Sequence, residues 1–243
     1  MILCGRDNVA MRIDLNADLG EGGSNDAALL AVVTSANVAC GFHAGDEETM
    51  RAACREAATH GVAIGAHVSY RDREGFGRRP RAVPAPVIED ETAEQIAALR
   101  ACAHQEGAAV TYLKPHGALY HRAAHDEDCA LALLAGAKHA GGLLAVLCLP
   151  GSALLAQAEA AGFRAVPEAF ADRGYLADGS LIPRGLPGDL LDEAHAVRQA
   201  AAIVVAGAAR SLCVHGDSPA AVRLARRIAD QLTAAGVIMA PFA

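Results

Sequence analysis

The sequence predicts an α/β fold, and within that class a TIM-like (β/α)7 barrel of seven parallel strands, each followed by a helix. Two observations predict it. The first is a repeating order: a short β-rich run, a polar or glycine-containing turn, then an alanine-rich stretch closing at glycine, seven times without a break in composition. The second is the place of the reactive side chains, which gather where the β-rich runs end. A closed barrel is preferred to an open doubly wound sheet. The 243 residues suit one such domain, which at this size buries roughly 70–75% of its unfolded surface and needs no staples.

The strand candidates are 12–18, 37–43, 62–67, 110–116, 143–149, 164–168 and 211–215. Helical stretches are expected near 26–35, 47–60, 91–106, 126–140, 152–161, 192–208 and 219–235. Asp46 and Ser152 are placed to cap helix starts, as is Ser218 with Pro219 at the first helical position. Gly61, Gly107, Gly162 and Gly236 stand where a glycine ends a helix. In the last helix Val222, Ala225, Ile228, Ala229 and Leu232 form one apolar stripe. Two longer loops, 69–86 and 169–191, interrupt the rhythm, and loops of that length in a compact domain are usually functional.

Composition narrows the function classes. The formal net charge is −7 with the basic residues scattered, so no nucleic acid is expected as a partner. Seven cysteines, spread widely and without a CxxC pair, read as reduced, buried thiols and point to the cytoplasm. Residues 1–10 carry Arg6 and Asp7 and no apolar core, which argues against a signal peptide, and no apolar stretch is long enough for a membrane. Neither a GxxxxGK[ST] nor a GxGxxG phosphate loop occurs, and the G-x-S-x-G nucleophile elbow is absent.

Asp14, Asn16 and Asp18 alternate with apolar neighbours and share one face of the first strand. His43, His67, His116 and His215 close the second, third, fourth and seventh runs, while Glu168, Asp172 and Arg173 lie at the end of the sixth. One histidine in such a place usually just braces a turn. Four, together with five acidic or amide residues at the same end, exceed what packing requires. Lys114 adds an independent signal: only two of 21 basic residues are lysines, and this one stands beside His116 at a strand end, where a compact point charge or titratable amine is useful.

Two chemistries fit these residues. In one, Asp18, His43 and His67, with Asp14 alongside, hold a divalent metal that acidifies a bound water. Neither His43 nor His67 belongs to an HExxH or HxxxH pair, since the residue four beyond His67 is Arg71. In the other, Asp14 or Glu168 serves as general base, and Lys114 and His116 stabilise a developing oxyanion.

Eight segments resemble the LamB/YcsF family: 12–21 (RIDLNADLGE), 34–46 (TSANVACGFHAGD), 61–70 (GVAIGAHVSY), 75–79 (GFGRR), 114–120 (KPHGALY), 168–175 (EAFADRGY), 181–184 (LIPR) and 213–219 (CVHGDSP). The resemblance runs over nearly the whole chain from Met11. It therefore frames 11–243 as one barrel domain and 1–10 as an N-terminal extension or a misassigned start. It implies the A subunit of a 5-oxoprolinase: ATP-dependent opening of 5-oxoproline to glutamate alongside two other subunits, on a fold similar to the sugar deacetylases. ATP would then be handled with the partner subunits, and a homo-oligomer is left open. The expected catalytic set is Asp14, Lys114, His116, Glu168 and Asp172. Asn16 and His215 would face the substrate, and one of Arg78, Arg79, Arg173 and Arg184 would pair with its carboxylate. The sequence departs from the family pattern at Gly22-Gly23-Ser24 and at Val68. A metal-dependent deacetylase of an N-acetylated sugar is the alternative, disfavoured by the absence of Trp and the nine Phe and Tyr residues. A non-catalytic subunit that only holds substrate is the third.

Overall fold

The computed structural model describes residues 11–142, 144–216 and 220–243. The expected start at residue 143 and the Ser218–Pro219 cap lie outside them, as does the 1–10 segment.

Seven parallel strands close on themselves. They are β1 (Arg12–Leu19), β2 (Ser35–Ala39), β3 (Ala63–Val68), β4 (Val110–Pro115), β5 (Ala145–Cys148), β6 (Ala165–Phe170) and β7 (Ser211–Val214). Each pairs with the next, and β7 and β2 both pair with β1, which completes the barrel. A two-residue strand, β8 (Ile238–Met239), adds to the outer start of β1. The helices are α1 (Asp26–Leu30), α2 (Glu47–His60), α3 (Ala85–Gln105), α4 (Gly117–His125), α5 (Glu127–His139), α6 (Ala153–Ala160), α7 (Glu193–Ala206) and α8 (Ala221–Ala234).

Local chemistry explains the boundaries. Asp46 and Thr49 form a reciprocal capping box at α2, and Ser152 accepts from Leu155 N–H at α6. Gly61 and Gly207 end α2 and α7 in the left-handed conformation. Leu224, Ala225, Ile228 and Leu232 bury one stripe of α8. β8 was not expected, and β2 lies at Ser35–Ala39 rather than 37–43, which leaves His43 in the loop beyond it. α1 is only five residues long, α3 begins at Ala85 directly after Pro84, and α4 was not anticipated.

The strand faces divide by chemistry. Outward residues such as Leu15, Ala17, Val38, Ile64, Ala66 and Leu113 pack beneath the helices. Inside, the floor on one side is apolar: Tyr112, Ala145, Leu147 and Val166 gather with Phe242, whose ring lies 5.0 Å from that of Tyr112. The remainder of the interior is polar, unlike the branched aliphatic filling usual in such barrels. Asp14, Asn16, Ser35, Asn37, Lys114, Glu168 and Ser211 are all buried there. A polar interior is stable only when each member is hydrogen-bonded, and the bonds that satisfy it define the site.

Candidate active site

Lys114, at the end of β4, is 2% exposed and sits in the middle of the barrel. Its Nζ lies 2.7 Å from Glu168 Oε1, 3.3 Å from Asp18 Oδ1 and 3.2 Å from Asn16 Oδ1, with Cys213 Sγ at 3.2 Å. Burial pulls the ammonium towards neutrality, but Asp18, Cys213 and Glu168 together outweigh it and hold its pKa well above the ordinary lysine value. Burial likewise raises the Asp18 carboxyl, and the charge of Lys114, then His67, reverses this and holds it well below the usual carboxylate range. Lys114 is therefore a fixed positive point charge. Around it, Asn37 donates to Asn16 and Asp18 at 2.7 and 2.8 Å, Tyr112 donates to Asn37 at 2.7 Å, and Asn16 donates to Glu168 at 3.0 Å. Tyr120, on α4, donates to the other oxygen of Glu168 at 3.0 Å.

One flank of this centre is a group of three imidazoles and a carboxylate. His67 Nε2 and His116 Nδ1 stand 2.9 Å apart. Glu21 Oε1 lies 3.1 Å from His43 Nε2, 3.4 Å from His116 Nδ1 and 3.8 Å from His67 Nε2. These side chains form a cluster able to hold a metal ion. The 69–86 loop presses on them. Phe76 adopts φ 52°, rare for a bulky residue, and its carbonyl accepts from His116 Nε2 at 2.9 Å. At Gly77 (φ +65°) a Cβ would come within 2.2 Å of Ser69 Oγ and 2.9 Å of the His116 ring, so only glycine lets the loop approach this closely.

The other flank is built by the 169–191 loop. Asp172 accepts both the N–H of His215 and its Nδ1–H, the latter at 3.0 Å. Burial lowers the His215 pKa, but Asp172 outweighs it and raises it above the ordinary imidazole value. Arg173 is buried, its guanidinium donating to the carbonyls of Asp189 and Ile182 at 2.9 and 2.6 Å, which ties the loop down. Between the flanks opens a cavity of about 370 Å³ at the carboxyl ends of the strands. Asp18, Lys114 and His215 face it from below, and Arg78, Arg173 and Arg184 line it too.

Fold and site together define a (β/α)7 barrel with a buried ionic centre under an arginine-lined cavity. Its relatives narrow the class. Residues 13–243 match the model of the LamB/YcsF family, and the chain belongs to that family. A protein of Streptomyces coelicolor, named as the A subunit of 5-oxoprolinase, is 55% identical, over 95% of this chain and 100% of its own length. A Nocardia farcinica protein of the same name is 50% identical over 96% and 100%. Among solved structures, the lactam utilization protein of Thermus thermophilus superposes with a TM-score of 0.89 at 38% identity, covering 96% of this chain and all of that one. A family 4 carbohydrate esterase of Streptomyces lividans (TM-score 0.55, 12% identity, 96% and 93% covered) shares the fold.

The structure brings together Asn16, Asp18, Lys114, His116, Glu168, Asp172 and His215 as expected from strand ends, with His43 and His67 beside them. It redistributes others. Asp18 Oδ1 stays 3.4 Å from His67 Nε2 while also bonded to Lys114 and Asn37, and Glu21 and His116 join His43 and His67 in the cluster. Glu168 is unsuited to be a free base, because Lys114, Asn16 and Tyr120 occupy its oxygens. Arg79 turns away from the cavity towards the buried carboxylate of Asp72, 3.6 Å off, and Glu74, 3.7 Å off. Glu21, Asn37, Tyr112 and Tyr120 were not anticipated. Asn37 could have been found, since Ser35 and Asn37 alternate with Ala36 and Val38 as Asp14, Asn16 and Asp18 alternate on β1.

Asp14, expected as a catalytic base, lies at the bottom of the barrel, 1% exposed. It accepts from Thr34, Ser35 and Ser211 hydroxyls and does not line the cavity above Lys114. Burial pushes its carboxyl up to about 6, against the opposing pull of those hydroxyls. The folded protein thus holds a proton that the unfolded chain has released once the pH passes 3.8. The contribution of Asp14 to stability should fall as pH rises from about 4 to about 6, by an amount of the order of 2–3 kcal/mol, and then level off. Asp14→Asn removes this titration. Urea unfolding at pH 4 and pH 7 should show the variant gaining on the wild type by about that amount at the higher pH; a difference independent of pH would contradict the assignment.

Proposed function

We propose that this chain is the hydrolytic subunit of a cytoplasmic, ATP-dependent 5-oxoprolinase and opens the lactam of 5-oxo-L-proline to L-glutamate. The observation that carries the reading is a fixed ammonium, Lys114, beneath a cavity lined by Arg78, Arg173 and Arg184. Such a cavity suits a small molecule with a carboxylate at one end and a carbonyl at the other. The names of the relatives, a 5-oxoprolinase component and a lactam utilization protein, support the same substrate class.

Distance and charge support a role for each group. An arginine of the rim pairs with the substrate carboxylate and turns the lactam carbonyl downwards. Lys114 is bonded tightly to Glu168 but loosely to Asn16 and Asp18, at 3.2 and 3.3 Å. A carbonyl oxygen entering from the cavity competes for those N–H groups and meets the positive charge as its own negative charge develops. Asp172 holds His215 Nδ1–H and leaves the other ring nitrogen as the general base. Water adds to the lactam carbon and gives its proton to His215; the carbon–nitrogen bond breaks, and the nitrogen takes up the proton to become the amine of glutamate. An amide is a poor electrophile. Phosphorylation of the lactam oxygen by partner subunits would activate it. The same water addition and carbon–nitrogen cleavage then leave an acyl phosphate, and a second water releases inorganic phosphate and glutamate. Such partners account for relatives named as one component of several and for a sequence without a phosphate loop. The deacetylase alternative rests on likeness of fold alone.

Glutamate formation from 5-oxoproline is expected only when this chain, its partner subunits and ATP are present together. Lys114→Met should lower kcat about 10²-fold or more, with circular dichroism confirming the fold. Unchanged turnover would support a subunit that merely holds substrate. The acid limb of the pH–rate profile should lie above about 6.5, the unperturbed histidine value, because His215 must lose a proton held by Asp172. Asp172→Asn should move that limb towards lower pH while reducing kcat; an unmoved limb would remove His215 as the base.

A further inference from the structure

Three imidazoles and one carboxylate converge from four consecutive βα units: Glu21 after β1, His43 after β2, His67 on β3 and His116 after β4. The hydrolytic reading above assigns them no step. Their hydrogen bonds show what they lack. His67 Nδ1 faces the Lys114 carbonyl at 3.1 Å, and His116 Nε2 faces the Phe76 carbonyl at 2.9 Å. A carbonyl oxygen only accepts, so both of these nitrogens carry the hydrogen. In neutral rings the opposite nitrogens, His67 Nε2 and His116 Nδ1, are then bare lone pairs, yet they point at each other across 2.9 Å. Two acceptors at that distance need a positive centre between them. The Glu21 carboxylate, 3.4 and 3.8 Å away, faces the same point.

We propose that Glu21, His43, His67 and His116 bind one divalent transition-metal cation, with zinc the best match. Zinc takes nitrogen and oxygen donors at about 2.0–2.2 Å in a tetrahedron, whose edges are then about 3.4 Å. Four of the six donor separations, 2.9, 3.1, 3.4 and 3.8 Å, bracket that edge, and all six are within 4.8 Å. The carbonyls of Lys114 and Phe76 hold two of the rings through their outer N–H, as metal-ligating histidines are usually held. His43 is the ring that must turn. It lies flat on His116, centroids 3.9 Å apart, a pose in which the two lone pairs cannot both aim at one ion. Its buried Nδ1 has no hydrogen-bond partner, so turning costs that side of the ring nothing. His67 and His116 also line the main cavity, which leaves the cation open to a ligand from that side. When bound it would supply Lewis acidity and a water of lowered pKa. The set adds Glu21 and His116 to the expected histidines and leaves Asp18, 3.4 Å from His67 Nε2 but already paired with Lys114, at its edge.

The test is binding of Zn²⁺ and Co²⁺ to the metal-stripped full chain by equilibrium dialysis and elemental analysis, without 5-oxoproline, ATP or partners. A failure here therefore leaves the hydrolytic reading to its own assay. One equivalent is expected, with the visible absorption of four-coordinate cobalt and a rise in melting temperature. Glu21→Gln and His67→Ala should weaken binding at least about 10-fold, whereas Arg184→Ala, outside the cluster, should not. A folded wild type that takes up neither ion, or binding indifferent to both cluster variants, would overturn the proposal and leave a shared proton as the positive centre.

Discussion

The placement of one ammonium group governs this barrel. Lys114 is buried where most such folds carry branched aliphatics, and a lone charge there would be prohibitive. Glu168 and Asp18 make it tolerable, and each needs its own support. Glu168 takes hydrogen bonds from Asn16 and Tyr120, and Asp18 takes one from Asn37, itself held by Tyr112. Four strands, β1, β2, β4 and β6, and α4 thus contribute to one connected network. Removing any buried charge from such a network typically costs about 3–5 kcal/mol, so the arrangement is rigid as well as polar.

That rigidity orients both flanks of the cavity. The Lys114 carbonyl fixes His67, and the strand carrying Lys114 runs directly into His116 and α4. On the far side, Ala171 N–H bonds to the Cys213 carbonyl, holding the start of the 169–191 loop against β7, and Asp172 then reaches His215. The two long loops therefore have different tasks. The 69–86 loop packs on the Glu–His cluster through Phe76 and Gly77. The 169–191 loop brings the Asp172–His215 pair and, with Arg173 and Arg184, much of the arginine lining.

Much of this was legible in the sequence. The βα repeat and its glycine stops described the barrel, and β8 escaped because two residues carry no periodicity. Helix α4 escaped because its first residue is Gly117, a poor helix former, placed directly after a strand-ending Pro115-His116. The strand-end histidines and the isolated lysine pointed to the end of the barrel where the candidate cavity lies. Depth was not legible: Asp14 and Asp18 share a face and differ by four residues, yet one lies under the network and the other borders the cavity. Glu21 was hidden in a glycine-rich turn whose shape, not spacing, returns it to the histidines. Arg78 and Arg79 are adjacent, yet Arg78 lies over the Phe76 ring while Arg79 lies beside Asp72 and Glu74.

The most direct test of the account is a crystal structure of the chain with 5-oxoproline bound. The lactam oxygen should lie about 3 Å from Lys114 Nζ, with the carboxylate against Arg78, Arg173 or Arg184. A lactam bound outside this cavity, or inside it with its carbonyl turned away from Lys114, would contradict the claim that this ammonium organises both the fold and the chemistry.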